Sequence, residues 1–202
     1  RHEFFRIWVD DFAPEARLRI LTLRDEAGAL SAVLPLMAER ASLYGVPARQ
    51  LGATANPHSC RFDLVAREPE AAAATFLAHL RADKSWDVLK LTDVPEGGAG
   101  WSLHAAAERA GLPVGTWESL QSPYIPLAEN FEAFMARLPS KFKANCRRRR
   151  RKLEEKGTVT VERVEGGLDL EAKLQEGFDL EASGWKGQRG TAMGQDARTR
   201  AF

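Results

Sequence analysis

Six consecutive cations, Arg147–Lys152, with Lys141 and Lys143 just upstream, constrain this chain more than any other feature. Leu138, Phe142, Cys146 and Leu153 recur around them at helical spacing, Ser140 stands where an N-cap hydroxyl belongs, and Gly157 stands where a helix stops. The spacing predicts a helix from Ser140 to Lys156. Successive residues on it are about 100° apart, so the cations surround the axis and cannot all face one ligand. The apolar residues mark a buried stripe onto which Arg149 or Arg150 also falls. Two readings stay open. Arg147, Arg148, Arg149, Arg150 and Arg151 form a polyanion site for nucleic acid, phosphate or a cofactor's phosphates, or the run is a solvated helix partly balanced by Glu154 and Glu155.

The rest of the chain does not share this bias. Across 202 residues, 29 Lys plus Arg stand against 28 Asp plus Glu, a formal net charge of +1, which excludes a histone-like or acidic-tail protein. The 44% hydrophobic share suffices for a core, and two Cys exclude a disulfide framework, so both read as reduced thiols. No apolar run reaches the roughly 18–20 residues of a transmembrane helix. Arg1-His2-Glu3-Phe4-Phe5 is no signal peptide, and the expected location is cytoplasmic. The chain opens without Met and is expected to be part of a longer protein. His2, His58, His79 and His104 are scattered and no C-x-x-C spacing occurs, so no metal is expected. Neither a Gly-x-Ser-x-Gly elbow nor a Walker loop is present.

Upstream, Phe4, Phe5, Trp8 and Phe12 predict a helix ended by Pro14. Leu18–Arg24 and Leu30–Leu36 read as a β-hairpin around Asp25-Glu26-Ala27-Gly28, with Pro35 marking a bulge or an edge. Ser42–Pro47 reads as strand leading to a turn, Arg49–Gly52 as a resumed strand, and Arg61–Val65 as a short one. Glu70–Arg81 is Ala-rich helix entered at Pro69, and Trp86–Leu91 reads as a central strand covered on both faces. Trp101–Arg109 is helix stopped by Gly111, and Val114–Leu120 and Tyr124–Leu127 are extended pieces. This order predicts an α/β (α+β) domain with one mixed sheet.

A second set begins near Asn130: a stripe of Phe131, Phe134 and Leu138, then the basic helix, a strand at Thr158–Val164 and a helix over Leu168–Ser183. A loop follows, opened by Gly184-Trp185-Lys186-Gly187 and continued through Gly190 and Thr191. Its glycines permit close backbone approach, so it is a candidate binding loop as well as an ordinary turn. Arg49-Gln50-Leu51-Gly52-Ala53-Thr54 resembles a phosphate-cradling Arg-x-x-Gly-x-Gly/Ala loop only in part. Thr54 replaces the last small residue and no helix follows at once, so it is read as a chance match.

Ser122-Pro123-Tyr124-Ile125-Pro126-Leu127, Phe134, Lys141–Arg148, Arg151–Gly157, Gly184–Gly187 and Gly190–Ala192 together resemble the CelD-like, BioF-type branch of the GNAT acyltransferase superfamily. Leu34-Pro35-Leu36 and Trp86-Asp87-Val88-Leu89 also resemble its N-terminal half. The resemblance implies two tandem GNAT-like folds of the FemAB kind, each a splayed mixed sheet flanked by helices. Residues 1–127 would form the first and 128–202 the opening of a truncated second, its acyl-CoA strand and phosphate loop lying beyond Phe202. The activity implied is acyl transfer from acyl-CoA (acetyl-CoA) to a small-molecule amine or sugar-precursor acceptor in polysaccharide or cell-envelope metabolism. Such transfer needs a base, backbone donors for an oxyanion and a helix N-terminus for pyrophosphate. No base is assigned among Glu176, Asp179 and Glu181. Trp185, Lys186 and Thr191 are the expected acceptor-side residues, an aromatic wall and a cation suiting an apolar or anionic acceptor. The alternatives are a non-catalytic polyanion-binding module and a degenerate GNAT scaffold. Nucleic acid is not the expected partner, and oligomeric state stays open.

Overall fold

The structure, a computed structural model, describes every residue except Arg1, Cys60, Leu120, Ser122 and Leu168. The protein is mixed α/β, and its chain divides into two compact units, Arg1–Leu120 with Ala201–Phe202, and Gln121–Arg200.

In the first unit the local chemistry sets most element ends. Helix α1 (His2–Phe12) stops short of Pro14, which cannot continue it. Strands β1 (Arg17–Arg24) and β2 (Leu30–Leu43) form the expected hairpin, with Asp25 Oδ1 accepting the Ala29 N–H at 2.8 Å. β2 then turns back through Tyr44 and Gly45, at φ 49° and 84°, into β3 (Val46–Ala53). Two successive positive φ values make the turn that matches strand twist. After β4 (Val65–Ala66), helix α2 (Pro69–Ala82) crosses over to β5 (Val88–Lys90), and α3 (Trp101–Arg109) follows. The sheet order is β1-β2-β3-β5, with β4 added to β2. All pairings are antiparallel except β3–β5, which is parallel and spans only Gln50↔Val88 to Gly52↔Lys90.

The core lies on one side of this sheet. Ala32, Leu34 and Leu36 alternate inward along β2, and Leu51 and Ala53 join them from β3. Ala72, Ala73, Phe76, Leu77 and Leu80 form the buried face of α2, and Leu103 and Ala106 that of α3. Phe62 and Leu64 fill the same core from an irregular segment. Pro35 stands between the part of β2 paired with β3 and the part paired with β4, where a missing ladder donor is tolerated.

Several expectations are corrected here. β5 is an edge strand paired only with β3 among the described residues, and Trp86 precedes it, binding the Leu80 carbonyl through its indole N–H at 2.9 Å. Of Arg61–Val65 only Val65 is strand, continued by Ala66, because Phe62 N–H bonds the Asp93 carbonyl instead of a ladder. The described residues of Val114–Leu120 and Tyr124–Leu127 join no ladder.

The second unit holds no strand among its described residues. It contains α4 (Phe131–Arg137), α5 (Ser140–Glu154), α6 (Leu170–Ala182), α7 (Trp185–Gln188), a 3₁₀ turn (Met193–Gln195) and all of α8 (Ala197–Ala201) but its last residue. Asn130 caps α4, its Oδ1 accepting the Ala133 N–H at 2.8 Å. Ser140 is the first residue of α5 rather than its cap, which is Pro139, and the helix ends at Glu154 rather than Lys156. Thr158–Val164 forms no strand: it finds no ladder partner among the described residues, and Val161 is 96% exposed. The segment starting at Trp185 is a helical turn, not a loop. Leu168, the expected start of α6, lies outside the described residues.

Candidate functional site

Helix α6 ends at Ala182, and the chain folds back over its last turn. Gly187 approaches so closely that a Cβ there would sit 1.7 Å from the Ala182 carbonyl oxygen, and a Cβ on Gly194 would be 2.9 Å from that of Phe178. Gly190, at φ 68°, turns the chain again, and the Thr191 N–H bonds the Lys186 carbonyl at 2.9 Å. Inside this fold-back stands Glu181. It accepts from Lys186 Nζ at 2.5 Å and from the Met193 N–H at 2.8 Å, and Ala192 beside it is buried. The Lys186 ammonium, then the Met193 amide, hold the Glu181 carboxyl below the usual carboxylate range. A carboxylate held so is a weak proton acceptor, and the structure gives Glu181 a structural task.

Of the three acceptor-side residues read from the sequence, the structure brings Lys186 and Thr191 together through backbone and spends the Lys186 charge on Glu181. Trp185 is 61% exposed, with the Arg189 guanidinium 5.3 Å from its ring centroid. The outward group is therefore an aromatic face with a cation upon it, and Arg189 is the member that sequence reasoning missed. Glu181 was visible as a carboxylate. Its spacing of five from Lys186 across a helix end was the signal for the pair.

The five arginines Arg147–Arg151 lie on α5, none of whose residues is buried. The expected buried stripe is overturned. Phe142 and Leu153 are more than half exposed and Cys146 is an exposed free thiol, while Leu138 precedes the helix and is half-buried. Among the described residues nothing buries this side, so periodicity alone did not produce burial.

In the first unit, Arg49–Ala53 is β-strand and no phosphate loop. Arg49 Nη2 bonds Asp87 Oδ1 at 2.6 Å and Nε bonds Oδ2 at 3.0 Å, so the guanidinium is spent on β5's entry. The N-terminus of α3 is filled by Asp63, which accepts from Gly100 N–H at 2.6 Å and Ala99 N–H at 3.2 Å. α2 begins with Pro69 between Glu68 and Glu70, which lacks one donor and repels anions. His58 lies flat against Phe12, ring centroids 5.1 Å apart. Among the described residues no cluster of three or more His, Cys, Asp or Glu is suited to a metal, and no helix is long and apolar enough to cross a membrane. No protein-family model, curated protein or solved structure matches the chain.

Proposed function

We propose that the chain belongs to an N-acyltransferase of GNAT type, of the CelD-like, FemAB-related kind, that moves an acyl group from acyl-CoA to an amine acceptor. One observation carries the reading. An antiparallel β1–β2–β3 meander is followed by α2 and by β5, which runs parallel to β3 but pairs with it over three residues only. Such a mixed sheet with one short parallel contact is compatible with the splayed sheet that the sequence resemblance implies, and supports the reading to that extent. Open α/β sheets take ligands where neighbouring strands part at their carboxyl ends.

The first unit does not fit the phosphates of CoA. Asp63 fills the amide donors at the start of α3, the acidic proline-started α2 offers no anion site, and Arg49 is committed to Asp87. This unit serves as scaffold in the reading, and Trp185 with Arg189 supplies an acceptor surface. The same filled ends favour a second reading, a degenerate GNAT fold without catalysis. Acetyl-CoA and longer acyl-CoAs titrated into the protein with a mixed amine pool separate the two, loss of thioester absorbance being the readout. Amine-dependent loss that Trp185→Ala slows supports the transferase. Absence of both CoA binding and thioester loss leaves the scaffold.

A further inference from the structure

Helix α5 lacks both of the supports that usually hold a short helix in water. None of its residues is buried, and isolated helices of this length are marginal even without charge. Its sequence carries eight cations and a single carboxylate, Glu154. Among the described residues its one ion pair is Arg150 Nε to Glu154 Oε1 at 2.8 Å. Lys143 and Arg147, Arg147 and Arg151, and Arg148 and Lys152 stand four apart, the spacing at which like charges oppose a helix. The charge imbalance calls for an anionic partner.

The apolar side chains say which kind. Phe142, Cys146 and Leu153 fall on one side of the axis, bordered by Arg149 and Arg150, with Phe142 52% and Leu153 54% exposed. We infer that α5 is a docking helix for an anionic lipid surface. It lies along the bilayer plane with Phe142 and Leu153 in the boundary between headgroups and acyl chains, and with its guanidinium groups on lipid phosphates. A nucleic-acid groove would satisfy the cations but gives nothing to Phe142 and Leu153. A second copy of α5 would set eight further cations against the first eight. A lipid surface meets both demands, since basic helices with an apolar face bind there by charge and shallow insertion together. The apolar stripe is narrow, so charge dominates the binding. The inference stands independently of thioester chemistry.

The test is co-sedimentation of the 202-residue chain with phosphatidylcholine vesicles, with or without phosphatidylglycerol. The chain should pellet with the anionic vesicles alone and be released at about 0.5 M salt, where the Debye length is only a few ångströms. Arg149→Ala with Arg150→Ala should weaken partition about 25-fold, or about fivefold per cation, and Lys at both positions should restore it. Leu153→Ser should weaken it severalfold with every cation in place. Circular dichroism of each variant checks that the fold is kept. Equal pelleting with neutral vesicles overturns the inference, as does indifference to the arginine pair or to Leu153. Tighter binding to a DNA or RNA duplex, unchanged in Leu153→Ser, also overturns it and reassigns α5 to nucleic acid. So does a dimer, formed without vesicles, that these variants break.

Discussion

Asp87 and Arg49 share four hydrogen bonds: the Asp87 carboxylate takes the guanidinium at 2.6 and 3.0 Å and the Arg49 backbone N–H at 2.8 Å, and the Asp87 N–H returns to the Arg49 carbonyl at 2.8 Å. The two residues pin the start of β5 to β3, one position ahead of the first parallel pair, Gln50↔Val88. This clamp sets the register of the only parallel contact among the described residues.

The clamp titrates. The Arg49 side chain, then its backbone N–H, pulls the Asp87 carboxyl down to about 2. Its folded value lies below the unfolded one, so its stabilising contribution is complete above the ordinary carboxylate range. It is lost as pH falls through that range toward about 2. Amide exchange of Val88–Lys90, corrected for its intrinsic pH dependence, should already be faster at pH 6 in Asp87→Asn than in the parent, and the difference should shrink toward pH 3 as the parent loses the clamp.

Asp63→Ala should uncap α3 by releasing Ala99 and Gly100 amides, a loss of about 1 kcal/mol in urea unfolding. Gly100→Ala should damage the same joint, since its Cβ would stand 3.2 Å from Asp63 Oδ1 and 3.1 Å from Val94 Cγ1. If neither variant shifts the urea midpoint, Asp63 is no cap.

Glu181→Gln should loosen the fold-back after α6. The Met193 amide, now bonded to Glu181 at 2.8 Å, should lose its low-field proton shift and exchange faster. Because the folded Glu181 carboxyl lies below its usual range, the parent should keep this signal at neutral pH and lose it as pH falls through that lowered value. A Met193 resonance identical in parent and variant would contradict the staple.

Leu34→Ala and Phe142→Ala separate core from surface. Leu34 is fully buried on β2, and its truncation should cost about 2–5 kcal/mol. Phe142 is more than half exposed, and its loss should stay within about 0.5 kcal/mol in a urea melt.

The sequence by itself determined the elements whose hydrogen bonds close within a few residues. The Ala-rich α2 and the α3 ended by Gly111 follow from spacing and end signals, the β1–β2 hairpin from its turn, and the basic α5 was legible as a helix, though with its cap and end displaced and its stripe unburied. It also singled out Lys186 and the glycines around it, because close backbone approach leaves a mark in composition. Contacts made at a distance left no such mark. Arg61–Val65, Trp86–Leu91 and Thr158–Val164 all look like strands locally, yet a strand forms only where another segment supplies its ladder. Tertiary structure therefore trimmed the first to its last residue, moved the second to the sheet edge and left the third unpaired among the described residues. The same reason governs Asp63 on α3, Asp87 on Arg49 and the uncovered side of α5: each depends on what the fold brings near, and adjacency along the chain carries no record of it.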